Sequence, residues 1–281
     1  MDAADPQDLY SYEAFTRHGF YRDMNHALVT RAVDCLPGLP SQRAAAVVDL
    51  GCGTGALTEL LLDAFRRRGV PAVICGIDPS ASALAVAARR LPEGANVRLL
   101  RGDVSAILGL APVDAVFFAN AIHLVADKDD VLEQIARALV PGGLFAMNSA
   151  FFTGAYTPGT ERFYRLWTVR AVRRLRQTCP QVQLSRSTRA PAMDWRSSVD
   201  YEQLVRGHGF EVLRCAMDEA HMSLESVQDI GSYSLFIEGA LPGAPLDAGA
   251  DALRFGATEA FRELNMKFLP RRWLSLVARR R

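Results

Sequence analysis

Three aspartates stand at the ends of three successive apolar runs, and the first of them is followed by a turn that is rich in glycine. The aspartates are Asp49, Asp78 and Asp103, and the glycines are Gly51, Gly53 and Gly55 in the stretch VVDLGCGTGA. A glycine turn between a strand and a helix presents backbone N–H groups to a ligand, and carboxylates accept hydrogen bonds from hydroxyl or amino groups. This pattern predicts a binding site for a small polar ligand.

The residues between 44 and 150 alternate between strand-like and helix-like runs. Continuous apolar runs, as expected of strands that are covered on both faces, occur at 44–50, 72–77, 96–100, 113–119 and 143–149. Between several of them, apolar residues recur at helical spacing, as in ALTELLLDAFRRRG. Strands that alternate with helices form a parallel sheet, and such sheets bind ligands at the carboxyl ends of their strands. We therefore expect Asp49, Asp78 and Asp103 to lie along one edge of this sheet.

The carboxylates narrow the kind of ligand. From Gly51 to Ala56 the turn satisfies the loose G-x-G-x-x-G/A pattern, so an NAD-linked oxidoreductase is one interpretation. That interpretation gives no role to Asp49 or to the segment around Asp103. At the end of its strand Asp78 can accept hydrogen bonds from both hydroxyls of a ribose. The carboxylate of Asp103, or the backbone around it, can accept one from the amino group of an adenine.

Residues 44–150 resemble the class I S-adenosylmethionine-dependent methyltransferases. The matching stretches are VVDLGCGTG, GIDPS, RGDV, VDAVFFANAIHLV and LVPGGLFAMNS. The resemblance implies an α/β, Rossmann-like fold: a doubly wound, mostly parallel seven-stranded sheet with an antiparallel last strand, plus helical cap insertions. It implies S-adenosyl-L-methionine as the cofactor, with contacts from Asp49, Gly51, Gly53, Gly55, Asp78, Pro79, Asp103, Val104 and Asn120. The closing strands are predicted at 210–217 and 271–280.

Methyl transfer from a sulfonium requires an acceptor held in line behind the methyl group, and it needs no metal. The residues that we expect to contact the acceptor are Tyr21, Asn25, His123, Phe152 and Tyr156. His123 follows the fourth predicted strand and is a candidate proton acceptor, although a histidine that only donates to the backbone of its turn is the more common arrangement. Tyr156 is the second candidate catalytic residue, because an aromatic ring can stabilise a sulfonium by cation–π contact.

Composition and charge argue against several other classes of protein. The net charge of +1 gives no overall attraction to nucleic acid, and we interpret the six arginines between 162 and 176 as a solvated helix face. The five cysteines never occur as CxxC, which argues against a zinc site and a disulfide framework. No apolar run is long enough to cross a bilayer, and we expect no secretory signal. The expectation is a cytoplasmic monomer or homodimer that binds a small molecule and neither nucleic acid nor membrane.

We predict four segments along the chain. They are an N-terminal helical lid at 1–40, a cofactor-binding core at 41–150, a helical cap insertion at 151–198, and the end of the core sheet at 199–281 with a helical insertion at 220–268. The predicted function is methyl transfer to a small molecule in a biosynthetic pathway. One alternative uses the same cofactor for an intramolecular cyclisation to azetidine-2-carboxylate, which releases methylthioadenosine. A further alternative is a non-catalytic, cofactor-binding interaction protein.

Overall fold

The computed structural model of the protein describes residues 12–36, 43–184 and 194–281. The predicted segments 1–40 and 151–198 therefore lie partly outside the described residues, and the division into four segments stays a prediction. The chain clusters into two compact units. The sheet unit comprises the described residues within 22–153, 195–218 and 273–281, and the helical unit comprises those within 1–21, 154–194 and 219–272.

Seven strands of the described ranges form one sheet. Their bounds are β1 Ala45–Leu50, β2 Ala72–Asp78, β3 Val97–Arg101, β4 Val113–Ala119, β5 Leu139–Ser149, β6 Phe210–Met222 and β7 Leu269–Arg280. The strand order is β3-β2-β1-β4-β5-β7-β6. Strands β1 to β5 pair in parallel, whereas β7 runs antiparallel to β5. The predicted mostly parallel, seven-stranded sheet with a reversed last strand is thus confirmed.

The helices lie between the strands and in two longer helical stretches. Their bounds are α1 Glu13–Thr16, α2 Gly19–Asp34, α3 Ala56–Arg67, α4 Ala81–Arg90, α5 Lys128–Ala138, α6 Glu161–Thr178, α7 Ser198–Gly207, α8 Leu224–Ile230, α9 Ser234–Ala240 and α10 Leu246–Glu263. Short 3₁₀ turns occupy Val104–Leu110 and Ile122–Leu124. None of the helices in the described ranges is long and apolar enough to cross a membrane.

The core of the sheet unit joins α2 and α3 to one face of the central strands. Leu28 of α2 and Leu61 of α3 are fully buried in a cluster that also contains Val47 and Phe117 from β1 and β4. Removing such a side chain from water contributes about 1.5–3 kcal/mol to stability. The apolar stripe of α3 and the apolar strands therefore hold the glycine turn, which connects β1 to α3, between two well-packed elements.

Strand β5 begins at Leu139 rather than at the predicted residue 143. Its register against β4 is irregular, because Val113 pairs with Leu139 while Ala115 pairs with Leu144. A Cβ at Gly143 would lie 2.9 Å from the carbonyl oxygen of Val140. Only glycine therefore fits at this irregularity of the strand. The Pro-Gly-Gly sequence, which predicts a break before the strand, instead forms an irregularity within the ladder.

The helical unit is built around α6 and α10. The indole N–H of Trp167 in α6 donates to the carbonyl of Leu253 in α10 at 2.8 Å. Two of the predicted solvated arginines form ion pairs with α10: Arg170 lies 2.6 Å from Glu263, and Arg174 lies 2.9 Å from Asp251. These arginines thus contribute to helix packing. Within the predicted helical insertion 220–268, a turn at residues 231–233 separates α8 from α9.

Candidate active site

The glycine turn has the backbone geometry of a ligand-binding loop. Gly53 and Gly55 have φ angles of 51° and 80°, in the left-handed region that favours glycine, and Gly51 shares this region with a φ of 67°. A Cβ at Gly55 would lie 3.1 Å from the Cβ of Ala87 in α4, whereas a Cβ at Gly53 would meet nothing within 4 Å. Gly55 therefore permits close packing of α4, and Gly53 leaves open space beside the backbone.

Asp49 lies under this turn and is 1% exposed. Its carboxylate accepts a hydrogen bond from the hydroxyl of Thr58 at 2.6 Å. Burial raises the pKa of Asp49 to about 7, although the hydrogen bond from Thr58 acts in the opposite direction. Asp49 is therefore a carboxyl group that takes up or releases its proton near neutral pH.

Asp78 ends β2 and ties its strand to the turn. One carboxylate oxygen accepts the backbone N–H of Gly53 at 2.8 Å, and the other accepts that of Ser80 at 2.9 Å. A carboxylate has about four lone-pair sites, so two of them remain available to hydroxyl groups of a ligand. The side chain is half-buried, and the neighbouring Pro79 is exposed.

Asp103 follows β3 and caps the 3₁₀ turn that begins at Val104. Its Oδ1 accepts hydrogen bonds from the backbone N–H of Ser105 at 2.9 Å and from its hydroxyl at 2.5 Å. These bonds lower the pKa of the exposed Asp103 carboxyl, which is thus ionised at neutral pH. Its Oδ2 is the oxygen that this cap does not use.

Asn120 follows β4 and belongs to a buried chain of amides. It has a φ of 49°, which is unusual for a residue other than glycine. Its backbone N–H donates to Asn148 Oδ1 at 2.9 Å, and its own Oδ1 accepts the N–H of Ala150 at 2.8 Å. Asn148 Nδ2 in turn donates to Asn25 Oδ1 of α2 at 2.8 Å. These bonds hold the carboxyl ends of β4 and β5 against α2.

His123 lies in the turn after Asn120 and is 4% exposed. Its ring stacks on that of Phe151, with centroids 4.3 Å apart, and Phe151 meets the ring of Trp195 edge-on at 5.9 Å. Phe152 beside it is also buried. His123 is thus held by aromatic packing at the carboxyl edge of the sheet.

Tyr21 and Tyr156 belong to the helical unit. Tyr21 is buried in an aromatic cluster with Tyr12 and Phe15, at centroid distances of 5.7 and 5.8 Å. Tyr156 stacks on Tyr164 at 3.9 Å, and the guanidinium of Arg271 lies 5.3 Å from its ring centroid. Tyr156 is 42% exposed, and partial desolvation of its phenol raises the pKa, so the phenol remains protonated at neutral pH. The Tyr156 ring already contacts one cation, and its contact with a sulfonium stays a prediction.

Hydrogen bonds within the sheet unit join several predicted residues. They link Asp78 to Gly53 and connect Asn25 to Asn120 through Asn148. Sequence reasoning missed Asn148, although it is a polar residue within an apolar strand, which is itself a signal. It also missed Thr58, which faces Asp49. No group of metal-binding side chains occurs in the ranges that the structure describes.

Residues 47–143 match the family described as "Methyltransferase domain". A trans-aconitate 2-methyltransferase from Azoarcus sp. (strain BH72) is 38% identical over 119 residues, which make up 42% of this chain and 44% of that protein. The chain thus matches less than half the length of this curated relative.

Solved structures share the fold at low sequence identity. A structure titled "Loganic acid methyltransferase with SAH" aligns with a TM-score of 0.65 and 13% identity over 99% of this chain and 98% of that chain. The [4+2]-cyclase SpnF aligns with a TM-score of 0.53 and 17% identity over 92% of this chain and 81% of that chain. At these identities the likeness concerns the fold.

The residues of the turn fit S-adenosyl-L-methionine. The space beside Gly53 admits a ligand against the backbone, and Asp78 keeps lone pairs for hydroxyl groups. The turn contains no lysine, as suits a cofactor that carries a sulfonium and no phosphate. The fold, the turn and the match over residues 47–143 agree. Residues 47–143 thus match a methyltransferase domain, and the match and the turn support S-adenosyl-L-methionine as the cofactor.

Proposed function

We propose that this protein transfers the methyl group of S-adenosyl-L-methionine to a small-molecule acceptor. The observation that carries the proposal is the turn around Gly53, which has open space on one side and the carboxylates of Asp49 and Asp78 beside it. The family match over the same residues supports it. A biosynthetic role for the product is part of the proposal.

Asp78 and Asp103 have different roles at the carboxyl edge. The lone pairs of Asp78 that the backbone does not use accept the two ribose hydroxyls, while Asp103 and Val104 flank the adenine. Asn120, fixed by Asn148, lies at the methionine end. When bound, the cofactor supplies a methyl group on a positively charged sulfur, which is already an activated leaving group.

The acceptor is held by the protein rather than activated by a metal. Holding an acceptor in line with the methyl group and excluding water contribute to the rate through orientation. His123, buried beside Phe151, accepts a proton when the acceptor is a hydroxyl or an amine. Asn25 and Phe152 are the further acceptor contacts that we propose within the sheet unit.

The named relative suggests the first acceptor to assay. It is a trans-aconitate 2-methyltransferase, and the structural neighbour with a TM-score of 0.65 is a loganic acid methyltransferase. Both names describe acceptors that carry carboxyl groups. Carboxylic acids are therefore the first class of small molecules to test, and a carboxylate oxygen needs no general base.

Product analysis tests this proposal. The protein is incubated with S-adenosyl-L-methionine alone and then with a panel of carboxylic acids that includes trans-aconitate, and mass spectrometry identifies the nucleoside released. Acceptor-dependent S-adenosylhomocysteine is the expected result. Acceptor-independent methylthioadenosine would instead indicate the cyclisation. Cofactor binding without turnover across a broad acceptor panel would favour a non-catalytic protein, and absence of cofactor binding in calorimetry would contradict the proposal entirely.

A further inference from the structure

The amide chain at the carboxyl edge has a fixed direction. Asn148 Oδ1 faces the backbone N–H of Asn120 at 2.9 Å, and a backbone N–H can only donate. The other half of the Asn148 amide is therefore Nδ2, which must donate to Asn25 across 2.8 Å. It follows that Asn25 presents Oδ1 to Asn148 and points its Nδ2 elsewhere.

This orientation leaves one buried donor of Asn25 unused. The side chain is 1% exposed, and its Nδ2 has no hydrogen-bond partner among the residues that the structure describes. A buried amide N–H without an acceptor is costly, and such groups in native proteins commonly meet a ligand or a bound water. Turning the Asn25 amide over would not help, because it would place two N–H groups of Asn25 and Asn148 face to face.

The position of Asn25 indicates which kind of ligand accepts the hydrogen bond from its Nδ2. Its partner Asn148 pairs with Ala119 at the end of β4, and this is the edge to which the proposed function assigns the methionine end of the cofactor and the acceptor. Arg22 lies one helical turn before Asn25, and its side chain is 61% exposed. The guanidinium of Arg22 lies 3.8 Å from Glu59.

We infer that Asn25 is a ligand-binding residue whose Nδ2 donates to a carboxylate oxygen of a bound ligand. The inference rests on the proposed function and deepens it. Two ligands of that reaction can supply such an oxygen: the cofactor through its amino-acid carboxylate, and the acceptor through a carboxylate of its own. A hydroxyl or a water would serve less specifically, because either can donate as well as accept.

Two substitutions replace the Nδ2 donor of Asn25 by an acceptor oxygen. Each of them retains the hydrogen bonds that join Asn25, Asn148 and Asn120. Asn25→Asp retains an oxygen for Asn148 Nδ2 and replaces the unused N–H by a second oxygen. Asn148→Asp retains an oxygen for the N–H of Asn120 and lets the Asn25 amide turn over, so that its Oδ1 takes the place of the unused N–H. Asn25→Leu is the control that removes both polar atoms.

Binding of S-adenosylhomocysteine and of methylthioadenosine is measured by calorimetry at pH 8.5. Methylthioadenosine has no amino-acid carboxylate. If the cofactor supplies the oxygen, both polarity-reversing variants bind S-adenosylhomocysteine about 10–100-fold more weakly than the wild type, and Asn25→Leu is about 10-fold weaker, because a charged hydrogen bond is lost or opposed. Methylthioadenosine binding is unchanged. At pH 5.5 the introduced carboxyl can be protonated and donate again, so the loss relative to wild type shrinks.

If the acceptor supplies the oxygen, S-adenosylhomocysteine binding stays unchanged, and the KM rises in both variants for the carboxylic acid of the panel that the wild type methylates, with trans-aconitate tested first. Unchanged binding of S-adenosylhomocysteine together with an unchanged acceptor KM would overturn the inference and would assign the donor to water or to a hydroxyl. Should Asn148→Asp fail to fold in a circular dichroism melt, Asn25→Asp decides alone. A wild-type protein that binds no S-adenosylhomocysteine would contradict the proposed function itself, which keeps the two failures distinct.

Discussion

The Asp49→Asn substitution is expected to remove a pH dependence from the stability of the protein. Burial raises the pKa of Asp49 from 3.8 to about 7. Between these two pH values the folded protein keeps this proton while the unfolded chain has released it. The free energy of unfolding therefore falls as pH rises through this window, since stability declines wherever the folded state binds more protons.

The magnitude follows from the two pKa values. One proton of difference costs about 1.4 kcal/mol for each pH unit, so the decline amounts to ~4 kcal/mol between about pH 4 and pH 7. It is complete above pH 7, where both states are ionised. An asparagine at this position has no proton to release and keeps an oxygen for the Thr58 hydroxyl, so this part of the pH dependence disappears.

Urea denaturation of the ligand-free protein from pH 4.5 to pH 8.5 measures the effect. Other carboxyl groups titrate in both proteins, so the relevant quantity is the difference between the wild type and Asp49→Asn at each pH. Thr58→Val is a matched variant, because loss of its hydrogen bond raises the pKa of Asp49 further and extends the decline to higher pH. Wild-type and Asp49→Asn stabilities that change in parallel with pH would refute the reasoning.

Three further predictions concern the site. Gly53→Ala and Gly55→Ala are both expected to lower Tm, because both backbones have positive φ, and Gly55→Ala by more because its methyl group also meets Ala87; Gly53→Ala additionally weakens cofactor binding at least ~10-fold, and a larger Tm loss for Gly53→Ala than for Gly55→Ala would contradict this. Asp78→Ala is expected to weaken S-adenosyl-L-methionine binding about 10–100-fold in calorimetry, since charged hydrogen bonds to the ribose are lost, and an unchanged Kd would remove the ribose assignment. His123→Gln is expected to lower kcat for hydroxyl or amine acceptors about 100-fold without changing the cofactor Kd, and an unaltered pH–rate profile would argue against a base at this position.

The sheet could be predicted because its strands are covered on both faces. A run such as Val113–Ala119 is then apolar throughout, which distinguishes it from a half-exposed strand. The start of strand β5 could not be predicted in this way. Its start at Leu139 depends on an irregular register with β4, and a register is a property of two strands rather than of one local sequence.

Site residues could be predicted where the local sequence alone marks their position. Asp78 ends a strand, and Gly53 lies in a turn whose sequence is distinctive. Thr58 and Asn148 act through partners, and their contacts depend on how α3 and β5 meet their neighbours. The sequence could not predict that Nδ2 is the unused atom of the Asn25 amide. This orientation follows from a series of hydrogen bonds through three residues.

The packing around His123 places an intrinsic fluorophore, a tryptophan, close to this residue. The chain contains three tryptophans, of which Trp167 and Trp273 are only 5% and 1% exposed. Trp195 is half-buried and touches Phe151, the ring on which His123 stacks. Emission that an aqueous quencher such as iodide can reach therefore comes mainly from beside this histidine. A change in quenching on adding a ligand would report events at that edge without any attached dye.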